Sequence, residues 1–182
     1  MDVRIRTEAQ TREGAKIGTF DLCARCPSHS NCCSRVRHGG EIESPLLLGH
    51  EVRAIQRETG KSANAFSEQR SRANSIRWMR TGDGGCYFFR NGKCGIYPIR
   101  PVDCRLFPYD VRKNEKGQLV LIAYTSLCPE TFDAARYRAH AATLLDLLGD
   151  DILTYGQVRT PGMDAKPHVT IGTIDEIRKG GR

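Results

Sequence analysis

Long apolar runs are absent from this sequence of 182 residues. The longest fully aliphatic stretch covers only residues 119–123, whereas a membrane-spanning helix needs roughly 20 apolar residues. Residues 1–6 also lack the apolar centre of a secretory signal peptide. The sequence therefore predicts neither a membrane segment nor export, and we expect a cytoplasmic protein.

Motifs of the common catalytic classes are missing as well. The sequence has no G-x-S-x-G elbow, H-E-x-x-H helix or dinucleotide fingerprint. Residues 81–85 are too glycine-rich for a regular element and lack the Lys-Ser/Thr that completes a phosphate loop. His29 and His38 lie near cysteines and could each replace one sulfur ligand, while Asp103 and Asp110 are better explained as a salt bridge or helix cap. The sequence leaves open whether the protein is an enzyme.

Cysteine is the residue that the chain has in excess. Cys23 and Cys26 form a C-x-x-C pair, whose two thiolates can bind one metal ion from a short turn. Side chains of the adjacent Cys32 and Cys33 diverge, which makes a plain disulfide framework awkward. Soft sulfur ligands in fours select zinc or iron–sulfur clusters. The candidate metal ligands are Cys23, Cys26, Cys32, Cys33, Cys86, Cys94, Cys104 and Cys128.

The chain is basic, with a formal net charge of +7 and a sequence pI near 9.1. Such a charge permits nucleic-acid binding, for which the arginines between positions 70 and 80 are candidates. The placement of charge favours a local role instead, because many basic residues lie within four positions of a cysteine and would offset thiolate charge. Arg100 and Arg105 are candidates for donating to the sulfurs of a bound cofactor.

Helix and turn signals divide the chain into short elements. Ser44-Pro45 predicts the start of a helix, with Ser44 as N-cap and Gly60 as its stop. Helical spacing of apolar residues predicts a second helix from Ser62 to Met79. The later predicted elements are a hairpin around 90–93, a short helix between Pro101 and Pro108, a hairpin over 111–125 and a long helix over 129–148.

Two of these elements bear directly on the cysteines. A two-residue Asn-Gly turn in the first hairpin would put Cys86 and Cys94 on opposite faces, whereas a three-residue loop would put them on the same face. Cys104 falls in the first turn of the short helix, where free backbone N–H groups and the helix dipole favour a thiolate.

The long helix is predicted to bury one face and to leave His140 on a polar face. The predicted apolar face comprises Phe132, Ala135, Ala139, Ala142 and Leu145, widened by Leu144 and Leu148. Taken together, the elements predict a small single α+β domain of helices and short β-hairpins organised around a cysteine-ligated metal site. We expect an arm or short strand at 1–19, the cysteine-cluster domain at 20–155 and a tail at 156–182 with one strand candidate at 169–171.

With these motifs in place, the chain resembles the YkgJ-type CxxCxxCC cysteine-cluster family, described as a zinc- or iron-chelating domain and related to a domain of flagellin lysine N-methylase. Three stretches carry the resemblance: CARC with the later CC pair (23–33), CYFF with KCGIY (86–97), and RPVDCRLFP (100–108). The family usually has two residues between the second cysteine and the CC pair, whereas residues 27–31 supply five here. The resemblance implies metal chelation and does not choose between zinc and iron–sulfur.

Among the alternatives, we favour an iron–sulfur cluster of the 4Fe-4S type over zinc, because thiolates are abundant and positioned histidines are few. Redox or electron-transfer function with a protein partner would follow from iron. A zinc-stabilised module that binds protein or nucleic acid is the alternative, and the resemblance adds an accessory domain for a methylation-type modification.

Overall fold

The computed structural model of the chain describes residues 32–70, 76–127, 133–159 and 166–180. Cys23, Cys26, His29 and Cys128 lie outside these residues, as does the arm expected at 1–19. Helices and short antiparallel sheets make up the described part, which agrees with the predicted α+β class.

The first half of the chain is built from short elements. They are helix α1 (Cys32–Arg35), strand β1 (Leu46–Leu47), helices α2 (Gly49–Thr59) and α3 (Ala63–Phe66), and strands β2 (Ser67–Gln69), β3 (Arg77–Met79), β4 (Thr81–Gly82), β5 (Gly85–Cys86), β6 (Phe89–Arg90) and β7 (Lys93–Cys94). β3 lies between β1 and β2 in one antiparallel sheet, while β4–β5 and β6–β7 are two-stranded hairpins.

Longer elements follow in the second half. They are a 3₁₀ turn (Tyr97–Ile99), helix α4 (Val102–Leu106), strands β8 (Tyr109–Lys113) and β9 (Leu119–Tyr124), helices α5 (Ala134–Leu148) and α6 (Asp151–Val158), strand β10 (His168–Thr173) and helix α7 (Ile174–Gly180). β9 is the central strand of an antiparallel sheet with β8 and β10 at its sides.

Helix α2 begins four residues later than Ser44-Pro45 predicts. Leu46 and Leu47 are extended because they pair with Trp78 and Arg77 of β3. The Glu51 carboxylate accepts the Leu48 N–H at 2.8 Å and so satisfies a free donor at the helix start. Gly60 ends the helix as predicted, in the left-handed conformation with φ of 66°.

The predicted helix from Ser62 to Met79 is wrong. Among the residues of this segment that the structure describes, only Ala63–Phe66 is helical, and Ser67–Gln69 then pairs antiparallel with Arg77–Met79. Phe66 and Met79 are both fully buried, so the apolar residues that suggested a helical face are buried by strand pairing instead. A short apolar pattern of this kind fits both the period of a helix and the period of a strand. Pairing with the distant strand β1 decides between the two structures.

Both glycine-containing turns near the cysteines form hairpins. Residues 81–85, predicted to be irregular, contain β4 and the start of β5, with Thr81 paired to Cys86. The other hairpin has the two-residue turn Asn91-Gly92, and both of these residues have positive φ, at 50° and 75°. Two consecutive positive φ values are typical of the type I′ turn that an Asn-Gly pair predicts.

Prediction and structure agree on the β8–β9 hairpin and differ over the elements that cover it. Helix α5 starts at Ala134, and the Asp133 carboxylate caps it by accepting two backbone N–H groups. Ala135 and Ala139 are exposed, so the predicted apolar face is wrong at these two positions. Helix α5 packs through its buried residues, which are Tyr137, His140, Ala141, Leu144, Leu145 and Leu148.

The expected tail also needs correction in its described part. Helix α6 crosses position 155, and the strand candidate at 169–171 belongs to β10, which pairs with β9. Backbone pairing with a central strand explains why this weakly patterned segment is ordered. Helix α7 then packs Ile174, 1% exposed, into the core.

Two apolar clusters organise the described residues. The larger one joins the β8–β9–β10 sheet to α4, α5, α6 and α7, and the smaller one lies around Phe66, Met79 and Cys86. Helix α4 stands at the boundary between them, since Val102 and Leu106 belong to the larger cluster. Within the described residues, no helix has the length and apolar character required to cross a membrane.

Candidate metal centre

All five described cysteines line one cavity of about 80 Å³. They come from four short elements, because Cys32 and Cys33 lie on α1 and the others end β5, end β7 and occupy α4. None of the five is in a disulfide. Apolar side chains complete most of the wall, among them Val36, Met79, Ile96 and Phe107. The cavity is therefore rich in sulfur and poor in water-binding groups.

Gly85 allows α1 to approach β5 closely enough for Cys33 and Cys86 to share this cavity. Gly85 has a φ of +95°, and a Cβ atom built on it would lie 2.1 Å from the carbonyl oxygen of Cys33 and 2.7 Å from the Cα atom of Ser34. Any side chain at position 85 would thus overlap backbone, which only glycine avoids. Sequence reasoning missed this role, although the glycine run 81–85 directly precedes Cys86.

Cys86 and Cys94 face the same cavity even though the hairpin has the two-residue turn that was expected to separate them. The expectation treated both cysteines as members of one hairpin, whereas Cys86 ends β5 and a turn at Tyr87-Phe88 precedes β6. Backbone amides of Phe88 and Phe89 hydrogen-bond the Cys86 sulfur, and the amide of Ile96 does the same for Cys94. Donors of this kind stabilise a thiolate.

Two carboxylates that sequence reasoning did not connect with the site hold α4 and its Cys104 in place. The Glu51 carboxylate of α2 accepts the Val102 N–H at 2.6 Å, at the first turn of α4. The Asp103 carboxylate accepts the Leu46 N–H of β1 at 2.7 Å and the Tyr155 hydroxyl of α6 at 2.9 Å. Asp103 is thus a bridge between three elements, which goes beyond the predicted salt-bridge or capping role.

Raised pKa values favour the neutral form of three thiols of this cavity. Burial raises the pKa of Cys86 to about 11 and also raises the pKa of Cys94. Burial raises the pKa of Cys104 well above its usual range, and the charges of Cys86, Cys33, Asp103 and Cys94 add to this. The position of Cys104 in the first turn of α4 therefore does not lower its pKa as the sequence suggested, because burial and like charges outweigh the helix dipole.

Only one of the two arginines predicted to contact a cofactor lines the cavity. Arg100 does so, its charge lowers the pKa of Cys94, and its guanidinium stacks 3.8 Å from the centroid of the Tyr97 ring. Arg105 is not among the cavity-lining residues, and its charge acts on the buried Glu51 carboxylate.

The described histidines make contacts away from the cysteines. His38 and His50 approach carboxylates at the surface, and His168 contacts the backbone oxygen of Lys166. His140, expected on a polar face, is buried and stacks on Tyr109, and burial lowers its pKa to about 4.

Among the arginines that were candidates for nucleic-acid binding, Arg72 lies outside the described residues and the described ones are engaged within the chain. Arg70 forms ion pairs with Glu43 and Glu68, both at 2.9 Å. Arg77 and Arg80 both bond Asn64, through its side-chain and backbone oxygens respectively. Nucleic-acid binding by this segment stays a prediction.

The cysteine thiols fit a metal group that prefers sulfur ligands, although the donor atoms are not arranged as a ready metal site. In residues 32–70, 76–127, 133–159 and 166–180, no three Cys, His, Asp or Glu side chains are arranged as a ready metal site. Five thiols nonetheless surround one apolar cavity, and backbone amides already point at two of the sulfurs. Burying thiolates in this apolar cavity costs free energy unless a cation is present, and a metal group would supply that positive charge.

Comparison with known proteins agrees with this chemistry. The model of the CxxCxxCC family, described as a "putative zinc- or iron-chelating domain", matches residues 22–129. The matched segment covers more than half of the chain and contains all eight cysteines. Searches of curated proteins and of solved structures each gave no match. The chain therefore belongs to the CxxCxxCC family of zinc- or iron-chelating domains.

Proposed function

We propose that the protein binds an iron–sulfur cluster, of the 4Fe-4S type, through cysteine thiolates of the sulfur-lined cavity. The observation that carries this proposal is the convergence of Cys32, Cys33, Cys86, Cys94 and Cys104 on one cavity of about 80 Å³. Four cysteine thiolates are the usual ligands of such a cluster.

The width of the cavity supports a cluster over a single zinc ion. Tetrahedral zinc with bonds of about 2.3 Å would draw its four sulfur atoms to within about 3.8 Å of one another. Instead, the described cysteines surround a space several times larger than the roughly 10–15 Å³ that one water molecule needs. No three of the described ligand-type side chains are close enough to form a single-ion site. A polynuclear group bridges such spacing, whereas one ion does not.

We assign the core ligands to Cys33, Cys86, Cys94 and Cys104, with Cys26 as a further candidate from outside the described residues. Cys23, Cys32 and Cys128 complete the set, and the eight thiols together suffice for two four-cysteine sites or for one site and a spare redox group. Arg100 is placed to offset the negative charge of the thiolates, since its charge already lowers the pKa of Cys94. Arg105 has a structural role beside Glu51 in this scheme.

Electron transfer is the function that this proposal implies. A bound cluster would supply one-electron redox chemistry, and its potential would depend on burial and on hydrogen bonds to the sulfurs. The amides of Phe88, Phe89 and Ile96 and the apolar wall are the chain's own means of setting that potential. A redox protein of the cytoplasm is the expected partner.

Anaerobic purification followed by an absorption spectrum and by quantification of iron, zinc and acid-labile sulfide tests the proposal. We expect brown protein that contains sulfide and loses colour on reduction. Cys104→Ser and Cys94→Ser should each lose most of the iron. Met79→Leu is the matched control, because it changes the cavity wall at nearly constant volume without removing a ligand, and it should keep the iron.

Three results would contradict this proposal. Colourless protein with stoichiometric zinc would make this a zinc-stabilised interaction module. Unchanged iron in Cys104→Ser would contradict the assigned ligands. Equal iron loss in Met79→Leu would show that cavity packing, and not sulfur ligation, controls the metal content.

A further inference from the structure

The hairpin beside the sulfur-lined cavity carries positive charge and no carboxylate. Residues 84–102 include β6 and β7 and contain Arg90, Lys93 and Arg100, but no Asp or Glu. Arg90 and Lys93 are exposed. Within the described part of the chain, neither of these two side chains takes part in an ion pair. We call residues 87–100 the basic hairpin.

The charges of the basic hairpin lie close to two of the cavity's cysteines. Burial raises the pKa of Cys86 and of Cys94. Against burial, the charge of Arg90 acts on Cys86 and the charge of Arg100 acts on Cys94. The wall of the cavity that these two cysteines form is therefore its basic side.

The two carboxylates that line the same cavity are engaged by other groups of the fold. Glu43 pairs with Arg70 at 2.9 Å. The Asp103 carboxylate accepts hydrogen bonds from the Leu46 N–H and the Tyr155 hydroxyl, at 2.7 and 2.9 Å. Neither carboxylate belongs to the basic hairpin, whose positive charge is consequently left for a partner.

Aromatic rings support the two arginines of this surface. The guanidinium of Arg90 lies 5.8 Å from the centroid of the Tyr87 ring, and that of Arg100 lies 3.8 Å from the centroid of the Tyr97 ring. Both tyrosines are half-buried. Tyrosine and arginine are enriched at protein–protein interfaces, where they combine a large contact area with polar groups.

Gly95 leaves one cysteine of the cavity open to this surface. It is exposed and directly follows the half-buried Cys94, and it has no side chain that could cover its neighbour. A Cβ atom built at position 95 would lie 3.5 Å from the carbonyl oxygen of Phe88, which is ordinary contact. Packing therefore does not require glycine here, and access to Cys94 is what its small size provides.

We propose that the basic hairpin is the docking surface for an acidic protein that carries a one-electron redox group and exchanges electrons with the cluster past Cys94. This partner rests on the proposed function, because it needs a redox-active cluster in the cavity. One electron passes from the reduced group to the oxidised one, and no bond forms or breaks.

The size and charge of the surface fit this class of partner. Redox complexes bury little area, and opposite charges accelerate their association. Nucleic acid fits less well, because its affinity comes from neutralising many phosphates and three cations offer few such contacts.

Flavodoxin, an acidic flavin protein, is the probe, because its flavin absorbs differently from an iron–sulfur cluster. Electron transfer from reduced flavodoxin to the oxidised holoprotein is followed anaerobically by stopped-flow absorption at increasing ionic strength. Transfer from the reduced holoprotein to cytochrome c, a basic protein, is the comparison. The flavodoxin rate should fall as salt screens the attraction, and the cytochrome c rate should not fall.

Charge reversal locates the docking surface. Lys93→Glu and Arg90→Glu should each lower the flavodoxin rate at low salt by roughly threefold to tenfold. Arg138→Glu is the matched control, because it changes the net charge by the same amount at an exposed position of α5, which lines no part of the cavity. Its rate should stay within about twofold of the parent rate.

Three outcomes would overturn the docking surface. They are a flavodoxin rate that salt does not lower, equal rates in the parent and in both hairpin variants, and an equal loss of rate in Arg138→Glu. If the hairpin variants keep the flavodoxin rate but no longer bind a fluorescent single-stranded oligonucleotide that the parent binds, the surface belongs to nucleic acid.

Iron, acid-labile sulfide and the absorption spectrum of each variant separate this proposal from the cluster itself. A full cluster with rates that ignore salt and charge would refute the docking surface alone, whereas protein without iron would refute the cluster and this partner together. Lys93→Glu provides an independent measurement if Arg90→Glu loses its cluster, since the charge of Arg90 and not of Lys93 acts on Cys86.

Discussion

A methyl group at position 85 tests whether the close approach of α1 to β5 builds the sulfur-lined cavity. In Gly85→Ala the new Cβ atom would lie 2.1 Å from the Cys33 carbonyl oxygen, and Gly85 has a φ of +95°. The unfavourable φ costs about 1–3 kcal/mol. Overpacking adds about 1–3 kcal/mol, which gives about 2–6 kcal/mol in total. The atoms in the way are backbone, so α1 must move and separate Cys33 from Cys86.

Urea unfolding followed by the fluorescence of Trp78, the single tryptophan, measures this loss, and bound metal is quantified on the same samples. Gly92→Ala is the matched control, because Gly92 also has positive φ, at +75°, but a Cβ atom there would meet nothing within 4 Å. The control should lose only about 1–2 kcal/mol and keep its metal. Equal destabilisation of the two variants, or full metal content in Gly85→Ala, would refute the role given to Gly85.

Three smaller tests address burial, charge and capping. In metal-free protein, iodoacetamide labelling of Cys86 should accelerate as pH rises towards 11, because burial raises the pKa of this thiol to about 11 and only the thiolate reacts. A labelling rate that levels off near the usual thiol pKa would contradict this prediction. Asp110→Asn should lower the free energy of unfolding by about 3–5 kcal/mol, since it leaves the buried Arg159 guanidinium without its carboxylate. Glu41→Gln, in an exposed ion pair, should cost at most about 1 kcal/mol, and similar losses in the two variants would disprove the distinction. Asp133→Ala should cost about 1 kcal/mol by removing the cap of α5, and an unchanged urea midpoint would argue against that cap.

Local signals predicted the elements whose geometry is set within a few residues. Gly60 ends α2, Asn91-Gly92 forms the two-residue turn, and the turn at 114–117 joins β8 to β9. Each of these depends on a backbone conformation that glycine or asparagine adopts readily. Sequence reasoning was adequate here because no distant partner is involved.

Distant partners explain the elements that sequence reasoning missed. The strand Arg77–Met79 pairs with Leu46 and Leu47, about thirty positions earlier, and this pairing overrides a helical pattern. The strand candidate at 169–171 was predicted, but its full extent, His168–Thr173, and its pairing with β9, some fifty positions earlier, were not. The local sequence of each strand carries no signal of its distant partner, so periodicity could not have predicted these pairings.

The candidate site shows the same division. Cysteine spacing identified the thiols that line the cavity, because the chemistry of sulfur ligands is visible in composition. Glu51 was missed, since a glutamate that bonds a backbone amide 51 positions away looks like an ordinary surface residue in the sequence.

The anchoring of α4 explains how a fold of short elements can keep a cysteine in position before any metal binds. Val102 and Leu106 are fully buried in the larger apolar cluster, and the carboxylates of Glu51 and Asp103 join α4 to α2 and β1. Cys104 is therefore held by contacts that involve no other cysteine. The elements that carry Cys33 and Cys94 are only two to four residues long, and short elements of this kind have little stability of their own. Metal binding must consequently act on them more than on α4, which serves as the fixed side against which the other ligands close.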